Sequence, residues 1–213
     1  MRISEIFYSL QGEGIQIGLP TIFVRCFGCD LRCSWCDTMY AVEGTDFVNL
    51  SVDEVYSEIR KYNSRRICLT GGEPLLQVTE LTELMKILLK NDYSVVLETS
   101  GHRLPPDIFW NDNCVISMDC KCPSSGMEKK MDFSLFGKLR DRDQLKFVIS
   151  DETDYQYAVN VLRTNDIYAN IIFQPVYGCN IGDIADKILR DGLDNVRTVP
   201  QLHKMIWGEK RGV

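Results

Sequence analysis

The chain alternates short, almost continuously apolar runs with longer amphipathic stretches, and this pattern predicts β-strands separated by α-helices. The apolar runs carry few polar positions, so we expect strands that are covered on both faces. The predicted strands are residues 3–8, 21–26, 66–70, 94–99, 114–118, 145–150, 169–174 and 196–199.

Five stretches carry apolar residues at helical spacing. The first begins with Ser51 and Glu54, the two residues of a capping box. The second places Leu81, Leu84 and Leu88 on one face, as an amphipathic helix requires. The predicted helices are residues 51–62, 79–90, 153–164, 180–190 and 200–207.

Strands that alternate with helices predict a parallel sheet built from βα units. A complete eightfold βα barrel typically needs about 250 residues, and this chain has 213. We therefore expect an α/β fold with a partial, open βα barrel. No linker, repeat or low-complexity segment interrupts the pattern, so we expect residues 1–213 to form a single domain.

The composition is that of a globular protein, with 45% hydrophobic and 25% charged residues, which excludes intrinsic disorder. The net charge of −6 argues against a nucleic acid or a membrane surface as a partner. The chain has neither a signal-peptide pattern nor a long apolar run, so we expect it in the cytoplasm. An odd number of cysteines, nine, favours metal binding there over disulfides.

The cysteines are densest between residues 26 and 36, where Cys29, Cys33 and Cys36 form a C-x3-C-x2-C triplet directly after a predicted strand. Three thiolates on one loop can hold three irons of a [4Fe–4S] cluster and leave the fourth iron open. A structural zinc site usually has two cysteine pairs that lie further apart. Cys26 could fill the fourth iron position, but it ends a strand and we expect it to pack as a small hydrophobe.

The triplet, with Trp35 before its last cysteine, resembles the signature of radical S-adenosylmethionine (SAM) enzymes. A second segment, LTGGEP at residues 69–74, resembles the GGEP turn of that superfamily. The resemblance implies a [4Fe–4S] cluster on the three cysteines, SAM on the open iron, and the adenine near Trp35. It further implies that the methionyl amino group of SAM is held by the turn residues Gly71, Gly72 and Glu73.

Three further segments are SLQGEG at residues 9–14, CDT at 36–38 and WGEKRGV at 207–213. Together they resemble the 7-carboxy-7-deazaguanine synthase family along essentially the whole chain. The resemblance implies a carbon–nitrogen lyase that converts 6-carboxy-5,6,7,8-tetrahydropterin into 7-carboxy-7-deazaguanine with loss of ammonia, for queuosine or archaeosine biosynthesis. It also implies an external electron donor of the flavodoxin or ferredoxin type, and a homodimer.

The same resemblance assigns roles to individual residues. Arg25 would bind the substrate carboxylate and Thr38 would bind Mg²⁺. The implied cofactor contacts are Trp35, Asp37, Gly71, Gly72, Glu73, Gly101, Asp119, Cys120, Lys121 and Gln174. The implied substrate contacts are Leu10, Gln11, Gly12, Glu13, Arg25, Thr99, His203 and Val213. The family usually has Ser-Pro-Lys at residues 119–121, so this chain matches that pattern only at Lys121.

The C-terminal segment carries its own predictions. Leu202, Met205 and Ile206 share a face of the last helix, which we expect to pack against the sheet. The tail, residues 209–213, is expected to fold over the strand ends and close the substrate pocket. A packing or dimer contact is the alternative for this tail.

Two other functions would also use closely spaced cysteines. Enzymes that generate a glycyl radical on a partner protein share C-x3-C-x2-C but need no pterin contacts. An electron carrier would bind a cluster with all four close cysteines. Cys120 and Cys122 are too few for a second metal site, and we expect Cys68, Cys114 and Cys179 to be packing residues.

Overall fold

Nine β-strands make the central sheet in a computed structural model that describes all 213 residues. The strands are β1 (Arg2–Leu10), β2 (Pro20–Cys26), β3 (Val48–Asn49), β4 (Arg66–Gly71), β5 (Ser94–Thr99), β6 (Cys114–Cys120), β7 (Gln144–Ile149), β8 (Asn170–Pro175) and β9 (Val196–Thr198). All eight predicted strands are present within a few residues, and only the two-residue β3 was not predicted.

Four α-helices connect strands and a fifth follows the last strand, and each overlaps a predicted helix. They are α1 (Val52–Ile59), α2 (Val78–Lys90), α3 (Glu152–Thr164), α4 (Ile181–Arg190) and α5 (Leu202–Trp207). The predicted capping box begins α1, where the Ser51 side chain accepts from the Glu54 N–H and the Glu54 carboxylate accepts from the Ser51 N–H. No helix is long and apolar enough to cross a membrane.

The strands follow the order β3-β1-β2-β4-β5-β6-β7-β8-β9, and the sheet is open because β3 and β9 form separate edges. From β2 to β9 every neighbouring pair is parallel, which confirms the partial βα barrel. One edge of the sheet differs from the parallel core, because β1 runs antiparallel to β2 and β3. The connection from β1 to β2 is too short for a parallel crossover, which needs a dozen or more residues.

Side chains that alternate along the strands separate the core from the site. Along β2, Ile22, Val24 and Cys26 belong to a core of 40 buried residues. The residues between them, Phe23 and Arg25, line a cavity on the other face of the sheet. This alternation follows from the two-residue period of a strand.

Helix α5 does not dock as expected. Met205 is 70% exposed and Ile206 is 48% exposed, whereas Lys204 is the buried residue of the helix. The prediction of an apolar docking face is therefore wrong. The Lys204 side of α5 faces inward instead, where the Lys204 ammonium lies 3.7 Å from the Asp37 carboxylate and 5.4 Å from the centre of the Tyr177 ring.

Candidate active site

A cavity of about 500 Å³ opens at the carboxyl ends of the parallel strands, where α/β folds gather their functional loops. Both the cysteine loop and the N-terminal SLQGEG loop reach it. The predicted site residues that line it are Leu10, Gln11, Gly12, Glu13, Arg25, Cys29, Cys33, Trp35, Cys36, Asp37, Thr38, Gly71, Gly72, Thr99, Asp119, Lys121, His203 and Val213.

Four predicted cofactor contacts do not line this cavity: Glu73, Gly101, Cys120 and Gln174. Glu73 is fully buried behind it and accepts hydrogen bonds from the Thr99 hydroxyl at 2.9 Å and the Ser100 N–H at 2.8 Å. Cys120 lies in the core because its neighbours along β6 face the cavity instead. Gln174 is fully buried, and neither atom of its amide group has a hydrogen-bond partner.

Of the remaining cysteines, Cys26, Cys68 and Cys114 are buried as the packing interpretation expects, and Cys122 is buried as well. Burial raises the pKa of the Cys26 thiol to about 12. The packing prediction is wrong for Cys179, which is exposed.

The cysteine loop is fixed to a turn that precedes α3. The Ser34 N–H donates to the Ser125 carbonyl at 3.1 Å, and the Trp35 indole N–H donates to the Ser124 hydroxyl at 3.1 Å. The buried Asp154 carboxylate accepts from the Ser124 N–H at 2.9 Å. This chain of hydrogen bonds sets the position of the Trp35 ring at the cavity wall.

The three cysteines of the triplet are partly exposed thiols that carry no disulfide. Burial raises the pKa of the Cys29 and Cys33 thiols, so a bound metal must displace their protons. The Leu31 N–H points to the Cys29 sulfur at 3.4 Å, a contact of the kind that tunes iron–sulfur clusters. No three candidate ligands converge on a single metal ion. A four-iron cluster requires no such convergence, because each thiolate binds a different iron.

The two glycines of the GGEP turn let the cysteine loop approach β4 closely. A Cβ atom on Gly72 would lie 2.2 Å from the Gly28 carbonyl oxygen, and one on Gly71 would lie 2.1 Å from that of Cys26. The Glu73 N–H donates to the Gly28 carbonyl at 2.8 Å across this contact. The glycines therefore fix the base of the cysteine loop.

Alanine at Gly72 should displace the cysteine loop, because the added methyl group overlaps the Gly28 backbone and overpacking typically costs about 1–3 kcal/mol. We expect a folded protein that takes up less than half of the iron bound by the unsubstituted chain after reconstitution. Gly137→Ala is the matched control, since its Cβ would meet only the Asp166 carbonyl at 3.4 Å. Iron and sulfide analysis with thermal melting measures both variants, and full iron content in Gly72→Ala contradicts the prediction.

Arg25 lies among aromatic and acidic groups at the end of β2. Its Nε donates to the Glu5 carboxylate at 2.7 Å, and its guanidinium carbon lies 5.8 Å from the centre of the Phe7 ring. The Tyr40 hydroxyl donates to the same Glu5 oxygen at 2.7 Å. Glu5 therefore orients Arg25 through one nitrogen and leaves other donors of the guanidinium for a ligand.

The C-terminal tail reaches the cavity from the side of the cysteine loop. The Arg211 guanidinium stacks 3.5 Å from the centre of the Tyr40 ring and pairs with Asp46 at 2.9 Å. The Lys204 ammonium bonds Glu209 and lies 3.7 Å from the Asp37 carboxylate. These contacts place Val213, the last residue, at the cavity wall.

Several cavity residues had no role assigned from the sequence, in particular Lys146, Glu98 and Lys204. Glu98 accepts from the Gln11 amide at 3.2 Å and from the Thr70 hydroxyl at 2.7 Å. Lys146 could have been recognised from the sequence as a candidate site residue, because a lysine in the middle of an apolar strand requires charged or polar partners. Lys204 carried no such signal, since its environment depends on the fold of the tail.

Comparison with known proteins identifies the family. Residues 23–109 match the model of the radical SAM superfamily. The chain is 38% identical over 213 residues to the 7-carboxy-7-deazaguanine synthase of Thermoplasma acidophilum, with both chains covered completely. It is 41% identical to that of Methanospirillum hungatei over 97% of this chain and 85% of the relative. This chain belongs to the 7-carboxy-7-deazaguanine synthase family.

Solved structures agree with the family assignment. The crystal structure of QueE from Escherichia coli superposes with a TM-score of 0.76 at 25% identity, covering 95% of this chain and 94% of that one. SuiB from Streptococcus suis, solved with a precursor peptide, has a TM-score of 0.63 at 11% identity over 83% of this chain and 48% of its own. The second likeness is one of fold alone. The resemblance read from the sequence motifs is confirmed.

Proposed function

We propose that this chain is a radical SAM lyase that converts 6-carboxy-5,6,7,8-tetrahydropterin into 7-carboxy-7-deazaguanine with loss of ammonia. One observation carries the proposal. A single cavity is lined both by Cys29, Cys33 and Cys36, which we call the cofactor side, and by the 10–13 loop, Arg25 and Val213, which we call the substrate side. A cofactor on the cysteines and a small carboxylated substrate on the other residues would therefore share one cavity.

The cofactor side fits a [4Fe–4S] cluster with SAM. Three cysteines would each bind one iron, and buried Cys26 would remain outside the ligand set. Gln174, whose fully buried amide does not line the cavity, stays a predicted cofactor contact. When bound, the cluster and SAM supply an electron and a carbon-centred radical able to take a hydrogen atom from the substrate.

Residues around the cofactor would orient it rather than react. The flat Trp35 ring offers a stacking surface for adenine, and the Lys121 ammonium lies 5.4 Å from the centre of that ring. Glu73 accepts hydrogen bonds from Thr99 and Ser100 and so fixes two residues of the cavity wall. Gly101 does not line the cavity, so its contact with the cofactor stays a prediction.

The substrate side fits a pterin that carries a carboxylate. The fork of Arg25 suits bidentate binding of that carboxylate. Glu13 presents a carboxylate that can accept hydrogen bonds from the N–H groups of the pterin ring, while His203 and Val213 would contact other parts of the ring. The side chains of Leu10 and Phe23 supply apolar contact.

A Mg²⁺ ion would bind beside Thr38. The Thr38 hydroxyl makes no capping hydrogen bond and lies 3.7 Å from the Cys36 sulfur, on the cavity wall next to Asp37. Mg²⁺ keeps most of its waters and can share substrate oxygens, so one or two protein ligands suffice. The ion would then neutralise part of the substrate's charge.

We also propose a flavodoxin- or ferredoxin-type electron donor, a homodimer, and location in the cytoplasm. Nine free cysteines without a disulfide support a reducing compartment. Sedimentation of the purified protein tests the dimer.

Spectroscopic titration of the reduced cluster tests the function. SAM should change the electron paramagnetic resonance spectrum of the reduced cluster, and the pterin should change it again. An electron carrier that uses all four close cysteines would show no response to SAM. An enzyme that activates a partner protein would respond to SAM and ignore the pterin.

Arg25→Lys should raise the substrate KM about tenfold, because lysine keeps the charge but loses the bidentate grip that a charge-assisted pair provides. Arg142→Lys is the control, since Arg142 pairs with Asp112 near the amino end of β7, away from the cavity. Steady-state kinetics at saturating SAM measures both. An unchanged KM in Arg25→Lys would show that Arg25 does not bind the substrate.

A further inference from the structure

Lys146 is a buried cation in a strand whose six residues are all buried. The Lys146 side chain is only 8% exposed and points to the cavity. Its two neighbours along the strand, Leu145 and Phe147, point to the core on the other face of the sheet. An isolated ammonium in such a place would be strongly unfavourable, so its partners must be specific. No step assigned above uses it.

The partners of Lys146 come from two different parts of the site. The parallel register of β6 and β7 sets Lys146 directly beside Asp119, and its Nζ lies 3.2 Å from an Asp119 oxygen. The same Nζ donates a hydrogen bond to the Glu13 carboxylate on the substrate loop. Lys146 therefore joins the substrate loop to the strand end on the cofactor side.

The ion pairs extend in both directions from Lys146. The second oxygen of Asp119 pairs with Lys121 at 2.6 Å, next to the Trp35 ring. The second oxygen of Glu13 accepts from the Gln201 amide at 3.0 Å, just before α5. Glu13, Lys146, Asp119 and Lys121 thus alternate in charge along the cavity wall, and we call them the four-charge network.

Electrostatics keeps Glu13 charged within this network. Burial alone would raise the pKa of the Glu13 carboxyl, but the charges of Lys146 and His203 hold the pKa well below its usual range. Burial would likewise lower the pKa of Lys146, and the carboxylates of Asp119, Glu13 and Glu98 raise it well above its usual value. Without Lys146, His203 and the hydrogen bond from the Gln201 amide would be left to oppose the protonation of Glu13.

We propose that Lys146 is a positioning residue that holds Glu13 as an ionised acceptor for a 2-aminopyrimidinone ring. This inference rests on the proposed function and deepens it. Each carboxylate oxygen has a second acceptor position, so Glu13 can bind the exocyclic amino group and the adjacent ring N–H while Lys146 and Gln201 hold it in place. If the ring carried an oxo group in place of the amino group, the oxo oxygen and the Glu13 carboxylate oxygen would both be acceptors and could not hydrogen-bond to each other.

Lys146 would therefore govern which ligand binds, because it holds the Glu13 carboxylate that contacts the ring. A pterin-6-carboxylate should bind more tightly than the matching lumazine-6-carboxylate, whose ring carries the oxo group. A site built on specific hydrogen bonds rejects an unmatched ligand strongly, because its own buried groups are left unpaired. Lys146 affects the preference for the pterin over the lumazine through Glu13, without contacting the ligand itself.

Fluorescence titration with the oxidised pterin-6-carboxylate tests the inference on reconstituted protein with SAM present, without turnover. Lys146→Met should weaken the Kd about tenfold or more near pH 8 and reduce the preference over lumazine-6-carboxylate. The ratio of its Kd to that of the unsubstituted chain should rise further as the pH falls toward about 5, because Glu13 then becomes protonated. His203, which faces Glu13, is present in both proteins.

Three variants separate positioning from a structural effect. Lys146→Arg keeps the charge and should bind the pterin without the added pH dependence. Glu13→Gln should bind weakly, and adding Lys146→Met to it should change the Kd less than twofold, because two residues that act as a unit are not additive. The double variant contains no unpaired Glu13 carboxylate, so it also serves if Lys146→Met alone folds poorly. Lys187→Met, which breaks a pair with Glu152 on the outer helices, is the control and should leave the Kd unchanged.

The outcomes separate the inference from the function on which it rests. Absence of pterin binding by the unsubstituted chain overturns the proposed substrate and this inference together. Normal binding by Lys146→Met, with no added pH dependence, overturns the inference alone. Full additivity with Glu13→Gln likewise overturns it, because Lys146 would then act by another route.

Discussion

Cys29→Ala, Cys33→Ala and Cys36→Ala should each abolish reductive cleavage of SAM. Each thiolate would bind a different iron, so losing one leaves an incomplete cluster that cannot hold SAM on a single open iron. We expect 5′-deoxyadenosine formation to fall below detection in all three variants under anaerobic reducing conditions. Iron content after reconstitution should fall with it.

Cys26→Ala is the matched control for these variants, because Cys26 lies only three residues before Cys29. Cys26 is fully buried in the core and its thiol has a pKa raised by burial to about 12. The substitution should lower stability by about 1 kcal/mol, as small core truncations do, and leave SAM cleavage intact. Loss of the cluster in Cys26→Ala would show that all four cysteines bind iron and that no iron is open for SAM.

Deleting residues 209–213 should weaken pterin binding about a hundredfold, while the melting temperature changes little. The deletion removes Val213 from the cavity wall and opens the cavity to water. Water then competes for the polar contacts of the substrate, and the loss of one charge-assisted hydrogen bond corresponds to about tenfold to a hundredfold in affinity. The stability change is small because the exposed pair of Arg211 with Asp46 contributes about 1 kcal/mol or less, and because Lys204 keeps the Asp37 carboxylate as a partner when Glu209 is lost.

The pterin Kd and thermal melting measure the effect of this deletion. Lys210→Ala is its control, since Lys210 is an exposed residue of the same tail. A truncated chain with normal Kd would show that the tail only packs against the surface. A truncated chain that melts at a much lower temperature, but binds the pterin with normal Kd below that temperature, would likewise show that the tail only packs against the surface.

The strands and helices were predictable because their signals are local. The capping box of α1 and the uniform apolar runs each depend on a few neighbouring residues. The cysteine triplet was recognisable for the same reason, since its spacing lies within one loop. The antiparallel start of the sheet was missed, because strand direction depends on the length of the connection and not on the strand itself.

The parts of the site that the sequence did not predict arise from contacts between distant segments. Lys146 meets Asp119 only through the register of two strands, and Glu13 reaches it from the N-terminal loop. Lys204 turns inward because Glu209 and Asp37 lie beside it, so the apolar pattern of α5 gave the wrong face. The pattern of apolar and polar residues along the chain does not show which distant residues pair in the fold.

One anaerobic reaction tests the central claim most directly. The reconstituted protein is given 6-carboxy-5,6,7,8-tetrahydropterin, SAM, Mg²⁺ and a reductant, and the products are identified by mass spectrometry. The account predicts 7-carboxy-7-deazaguanine and ammonia in equal amounts, formed only when the pterin, SAM and reductant are all present. SAM cleavage that leaves the pterin unchanged would contradict it.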